Sequence, residues 1–143
     1  MKSIFETEIN IPREKLAELY ANPENNVKWM TDLDRCEFIS GDRGMPGSKY
    51  RFVPKKGNMV FVATVLLRDL PNELKLDLES PSVHVLVTAK FFALTPEKTR
   101  FISEEIFTFK GLFYKLFGIL AACLVRKAHH KHMNDFKQFV MTT

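Results

Sequence analysis

Two cysteines in 143 residues, Cys36 and Cys123, cannot build a framework of bridges. A small disulfide-stapled secreted scaffold is thereby excluded, and a reducing, cytoplasmic setting is expected. Long apolar runs are missing too. The most apolar stretch, Leu116 to Val125, falls far short of the roughly 20 residues a membrane span needs, and Lys115 and Arg126 bracket it. The first residues, Met1 to Glu6, carry charges with no apolar run behind them, so no ordinary secretory leader is expected. Charge of one sign is nowhere concentrated. The net charge of +4 comes from basic residues dispersed among acids, and no nucleic-acid partner is expected. A phosphate-cradling loop is also absent: Gly47-Ser48-Lys49 has the wrong order, and a strand pattern follows where a helix is required.

Phenylalanine, by contrast, is abundant, with thirteen copies beside one Trp and three Tyr. Either a large aromatic core or a greasy binding site could use that many rings. Apolar residues make up 45% and charged residues 27%, an ordinary globular balance that argues against disorder. The length suits one domain, expected to cover residues 1–143.

The pattern opens with a strand over Lys2 to Ile11, with Ile4, Ile9 and Ile11 among polar neighbours. Pro12 stops it and opens a helix over Arg13 to Ala21, which Asn22-Pro23 breaks. A second short helix is predicted from Glu24 to Met30. Strand patterns separated by turn residues follow: Cys36 to Ser40, Lys49 to Val53, Met59 to Arg68, Leu74 to Leu78, Val83 to Leu94 and Arg100 to Phe109. From Gly111 to Val140 the period becomes helical, with Phe113, Leu116, Phe117, Leu120, Leu124, Ala128, Phe136 and Val140 read as one stripe. Short turns make the neighbouring strands antiparallel.

This order predicts an α+β fold with an interior. Seven strands spaced about 4.8 Å apart make a sheet roughly 30 Å wide, whereas one helix with its side chains is about 10–12 Å across. The sheet must curl around the helix, and a curled sheet holds volume that side chains or a ligand fill. Alternation turns Phe61, Ala63 and Val65 inward, then Leu76 between Leu74 and Leu78, then Val85, Val87, Ala89 and Phe91, opposite His84 and Lys90. On the last strand Phe101, Ser103, Glu105, Phe107 and Phe109 share that face. Leu116, Phe117, Leu120 and Leu124 of the helix, with Trp29, Tyr50 and Phe52, are expected to complete the wall. Arg51 and Asp69 are further candidates for its mouth.

The chain resembles the helix-grip superfamily, which includes START lipid-transfer domains, the major pollen-allergen fold and polyketide cyclase/dehydrase-like proteins. The resemblance lies in the element order and in Trp29-Met30-Thr31-Asp32-Leu33, Gly41, and Gly44 to Phe52. Lys110-Gly111-Leu112-Phe113 leading into a basic helix also resembles it. It implies a curved antiparallel sheet of six to seven strands around a long C-terminal helix, with two short helices after the first strand. It implies lipid carriage or cyclase-type chemistry and carries over no catalytic motif.

Weighed singly, most reactive residues read as ordinary. His129, His132 and Asp135 share a helix face at metal-like spacing, but one helix is a poor source of a full ligand set. With His130 they are read as a solvated basic face, and neither metal nor cofactor is expected. Cys123 lies in apolar surroundings as a packed thiol, and His84 is read as solvated. Glu105 stands apart, because a carboxylate on an apolar inward face is costly unless it has a purpose. The expected function is binding or carriage of a small hydrophobic molecule such as a lipid, isoprenoid or polyketide. The alternatives are a cyclase/dehydrase-type enzyme using Glu105 as acid/base, and a protein-partner module.

Overall fold

The protein is described by a computed structural model over residues 1–112 and 118–143. Its elements are β1 (Lys2–Ile9), α1 (Arg13–Ala21), α2 (Asn26–Trp29), β2 (Leu33–Ser40), β3 (Lys49–Pro54), β4 (Phe61–Asp69), β5 (Glu73–Glu79), β6 (Val83–Thr95), β7 (Lys98–Phe109) and α3 (Gly118–Met141). One 3-10 turn, Pro23–Asn25, precedes α2. The seven strands make one antiparallel sheet in the order β1-β7-β6-β5-β4-β3-β2. This is the helix-grip layout that the pattern predicts.

Helix α3 touches both edges of the sheet. His129 reaches Ser3 on the β1 edge at 2.7 Å. His132 reaches Asp32, just before β2, at 3.1 Å. A single helix meets both edge strands only if the sheet curls around it. One end of the interior is closed by aromatic packing: Tyr20 of α1 and Phe136 of α3 meet Phe91 and Phe101 of the sheet, with ring centroids 5.2 to 5.9 Å apart. Edge-on and offset contacts of this kind add to the area buried. The β2–β3 connection needs glycine at Gly41, whose φ is +92° and whose added Cβ would stand 2.7 Å from the Ser48 Cα.

Three expectations are corrected. First, Ile4 points outward; Ser3, Phe5 and Ile9 form the inner face of β1. Second, a bulge between Val65 and Leu67 shifts the register of β4. Arg68 therefore lies opposite Leu74 on the inner side, and its guanidinium meets Glu18 at 3.3 Å. Third, the buried stripe of α3 is His129, Met133, Phe136 and Val140, with Leu120 and Leu124 exposed. Repeated i+4 steps from Leu120 through Leu124 to Ala128 each overshoot a full turn by about 40°, so that stripe winds off the core face. Leu116 and Phe117 lie outside the described residues.

Candidate functional site

Between the sheet and the first half of α3 lies a cavity of about 570 Å3, within the range of small-molecule sites. Val83, Val85, Val87 and Phe107 build one wall, with Phe61, Leu76 and Leu78 packed against them. Their inward aim follows from strand alternation and the antiparallel register. Ala121, Val125 and Ala128 of α3 face them, and Trp29 and Met30 stand beside α2. The cavity reaches the surface where its lining residues Met59 and Leu124 are 41% and 61% exposed.

Into this wall one buried carboxyl is set; the other on the lining, Asp32, is exposed and pairs with His132. Glu105 faces inward from β7, directly opposite Ser3 of β1, and only 15% of its side chain is exposed. Its Oε2 lies 3.3 Å from His129 Nε2. The same nitrogen is 2.9 Å from Ser103 Oγ, and His129 Nδ1 is 2.7 Å from Ser3 Oγ. Ser3 and Ser103 leave room for the imidazole where larger residues would not. With Nε2 protonated, the ring donates toward Glu105 and Ser103 and accepts the Ser3 hydroxyl hydrogen. With Nδ1 protonated, it donates to Ser3, and Nε2 accepts from Ser103 or from a protonated Glu105. Both tautomers satisfy the ring.

Burial sets the charges. It pushes the Glu105 carboxyl up to about 7. It pushes His129 down to about 4, helped by the neighbouring charges of His130 and His132. At neutral pH the imidazole is therefore uncharged and the carboxyl is poised between its two forms. The Tyr20 hydroxyl is held above its ordinary value by burial, then by the charge of Glu105. Trp29 also stands along the cavity, with its indole N–H buried away from accessible space and without a hydrogen-bond partner among the described residues.

Three solved structures superpose on this chain over nearly its whole length. An aromatase/cyclase from Streptomyces sp. R1128 covers 96% of this chain and 92% of its own, with a TM-score of 0.78 and 12% identity. A START superfamily protein from Mycobacterium smegmatis covers 93% and 95%, with a TM-score of 0.70 and 13% identity. A norcoclaurine synthase from Thalictrum flavum, in complex with dopamine and hydroxybenzaldehyde, covers 99% and 87%, with a TM-score of 0.70 and 15% identity. The fold is START-like helix-grip. No family profile matches the sequence, and no curated protein matches it.

Within this helix-grip frame the anticipated residues divide. Trp29, Tyr50, Phe52, Phe61, Ala63, Leu76, Val85, Val87, Glu105, Phe107 and Leu124 lie along the cavity. Ala89 and Phe91 do not; they belong to the packed end under α1, where β6 has passed the cavity. Ser103 is fully buried behind His129. Leu120 is on the outer side of α3. Arg51 and Asp69 are exposed and outside the cavity lining, so neither is the mouth group anticipated. His84 is half-buried and pairs with Asp77 on the outer face of the sheet. There Asp77, Glu79 and His84 bring donor atoms within 4.8 Å of one another, and Lys110 already pairs with Glu79.

His129 is the residue that sequence reasoning missed. It was grouped with His132 and Asp135, yet the three diverge: His129 enters the interior, His132 turns to Asp32, and Asp135 pairs with Lys131. The signal was the spacing. His129 is four residues from both Val125 and Met133, so a helix puts it on their face. Ser3 carried no comparable sign.

Proposed function

We propose that residues 1–143 act as one ligand-binding domain that takes a small, mainly apolar molecule into the helix-grip cavity, with Glu105 as its polar anchor. The observation that carries this reading is a single buried carboxyl, supported by His129, on an otherwise apolar wall. A protonated Glu105 donates to a carbonyl or ether oxygen, and an ionised one accepts from a hydroxyl. Lipids, isoprenoids and polyketides have this mixed chemistry. The free thiols Cys36 and Cys123 suit a reducing cytoplasmic location, and among the described residues no helix is long and apolar enough to cross a membrane.

A second reading has its own support. Glu105 and His129 are in contact, and a carboxyl with a midpoint near neutrality is suited to acid/base work. A cyclase/dehydrase-type reaction would use it so, as the neighbouring aromatase/cyclase and synthase folds suggest. The partner-module reading has less support, since an open interior is of no use to it.

Native mass spectrometry of gently purified protein tests binding, with retention of a small apolar molecule as the expected result. An apolar fluorescent probe tests the anchor. Glu105→Gln is expected to change probe or cargo affinity several-fold, whereas Glu104→Gln, on the outer face, leaves it unaltered. Equal affinities in both variants would remove Glu105 from the site. Turnover of a polyketide-like substrate that vanishes in Glu105→Gln would favour the enzymatic reading.

A further inference from the structure

The outward side of α3 changes character along its length. Its first two turns show Ile119, Leu120, Cys123 and Leu124 to solvent; Arg126, Lys127 and Lys131 follow. Ile119 is 87% exposed, Leu120 61%, and Leu112 ahead of the helix 76%. Spacings of one, four and five residues put the four side chains of α3 on one side of it. Apolar residues exposed singly need no explanation, but a contiguous group of this kind marks a docking surface.

Cations collect at the same end of the molecule. β3, β5 and β7 run toward it, so the turns after Pro54 and Glu79 and the end of β7 lie together, joined by the Lys110 amide donating to the Ser82 carbonyl at 2.9 Å. Lys55, Lys56, Lys110, Arg126 and Lys127 are all exposed there. The acids nearby are engaged: Glu79 by Lys110, Asp32 by His132 and Asp34 by Arg35. The exposed cavity-lining residues Met59 and Leu124 lie at this end.

We propose that this end docks on an anionic lipid surface, with Leu112, Ile119, Leu120 and Leu124 entering the headgroup boundary and Lys55, Lys56, Arg126 and Lys127 facing lipid phosphates. An apolar face rimmed by Lys and Arg is the pattern that binds such an interface. A second copy of the chain fits less well, because a two-fold pairing through this face brings two positively charged rims together. A nucleic acid would leave the apolar stripe without a partner. The inference rests on exposed side chains, of which Leu124 alone also lines the cavity, and does not depend on what occupies that cavity.

Co-sedimentation with vesicles containing no cavity probe tests it. The protein is expected to bind phosphatidylcholine vesicles carrying phosphatidylglycerol, to bind pure phosphatidylcholine poorly, and to release at high salt. The double variant Ile119→Glu/Leu120→Glu should lose at least about tenfold in partitioning, and Lys127→Glu at least about fivefold. Both alter exposed side chains, and far-UV circular dichroism checks that the fold is kept. Absence of binding to anionic vesicles overturns the proposal, as does binding that the double variant leaves intact. A concentration-dependent dimer that the double variant dissolves would also overturn it, by assigning the face to a second copy.

Discussion

Between pH 4.5 and 6.5, Glu105 and His129 exchange a proton on folding without changing how many they hold. Unfolded, they titrate near their ordinary values of 4.5 and 6.5; folded, burial moves them to about 7 and about 4. Between pH 4.5 and 6.5 the unfolded pair holds one proton on His129, and the folded pair holds one on Glu105. Equal proton counts mean a flat stability contribution in that window. Above it the fold retains a proton that the unfolded chain has released, so stability falls as pH rises through about 7. Below it the unfolded chain binds a second proton that buried His129 refuses, so stability falls as pH drops through about 4. Glu105→Gln removes the compensation and leaves His129 alone. Urea unfolding of that variant should show this contribution dropping between pH 6.5 and 4.5 by on the order of 3 kcal/mol, where in the parent protein the pair contributes a level term. A variant as level as the parent would mean that His129 is not held neutral by burial.

The strands were more legible than the helix, for a geometric reason. A period of two is rigid: once Leu74, Leu76 and Leu78 are seen to alternate with Lys75 and Asp77, every neighbour on that strand has its side assigned. The bulge in β4 broke the rule and turned Arg68 inward. A helical stripe accumulates angle, and one built from i+4 steps leaves the core face within a few turns. The sheet also has two interior regions that alternation cannot separate. Ala63 lies along the cavity, whereas Ala89, on the same face two strands away, lies under α1. Ala63→Phe is therefore expected to weaken binding of an apolar probe severalfold with the protein still folded. Ala89→Phe should instead cost roughly 1–3 kcal/mol by overpacking, seen as a lowered Tm. Phe136→Ala, in the aromatic cluster, should cost about 3–5 kcal/mol.

At the scale of the whole molecule, the sheet-and-helix mismatch in width was enough to predict a curled sheet with an interior, and the seven-stranded order bears that out. Composition could not say how the thirteen Phe divide. The structure places Phe91, Phe101 and Phe136 in the closed end and Phe52, Phe61 and Phe107 along the cavity. Nor could it pair Ser3 with His129 across 126 positions, since such contacts exist only once β1 and α3 are packed. The central claim is that the interior takes up a small apolar molecule. NMR of methyl-labelled protein, titrated with an apolar probe, tests it most directly. The predicted result is saturable shifts of Ala63, Leu76, Val85 and Val87, with Leu66 and Leu86 on the outer side unmoved. Shifts confined to Ile119 and Leu120, or no shifts at all, would contradict it.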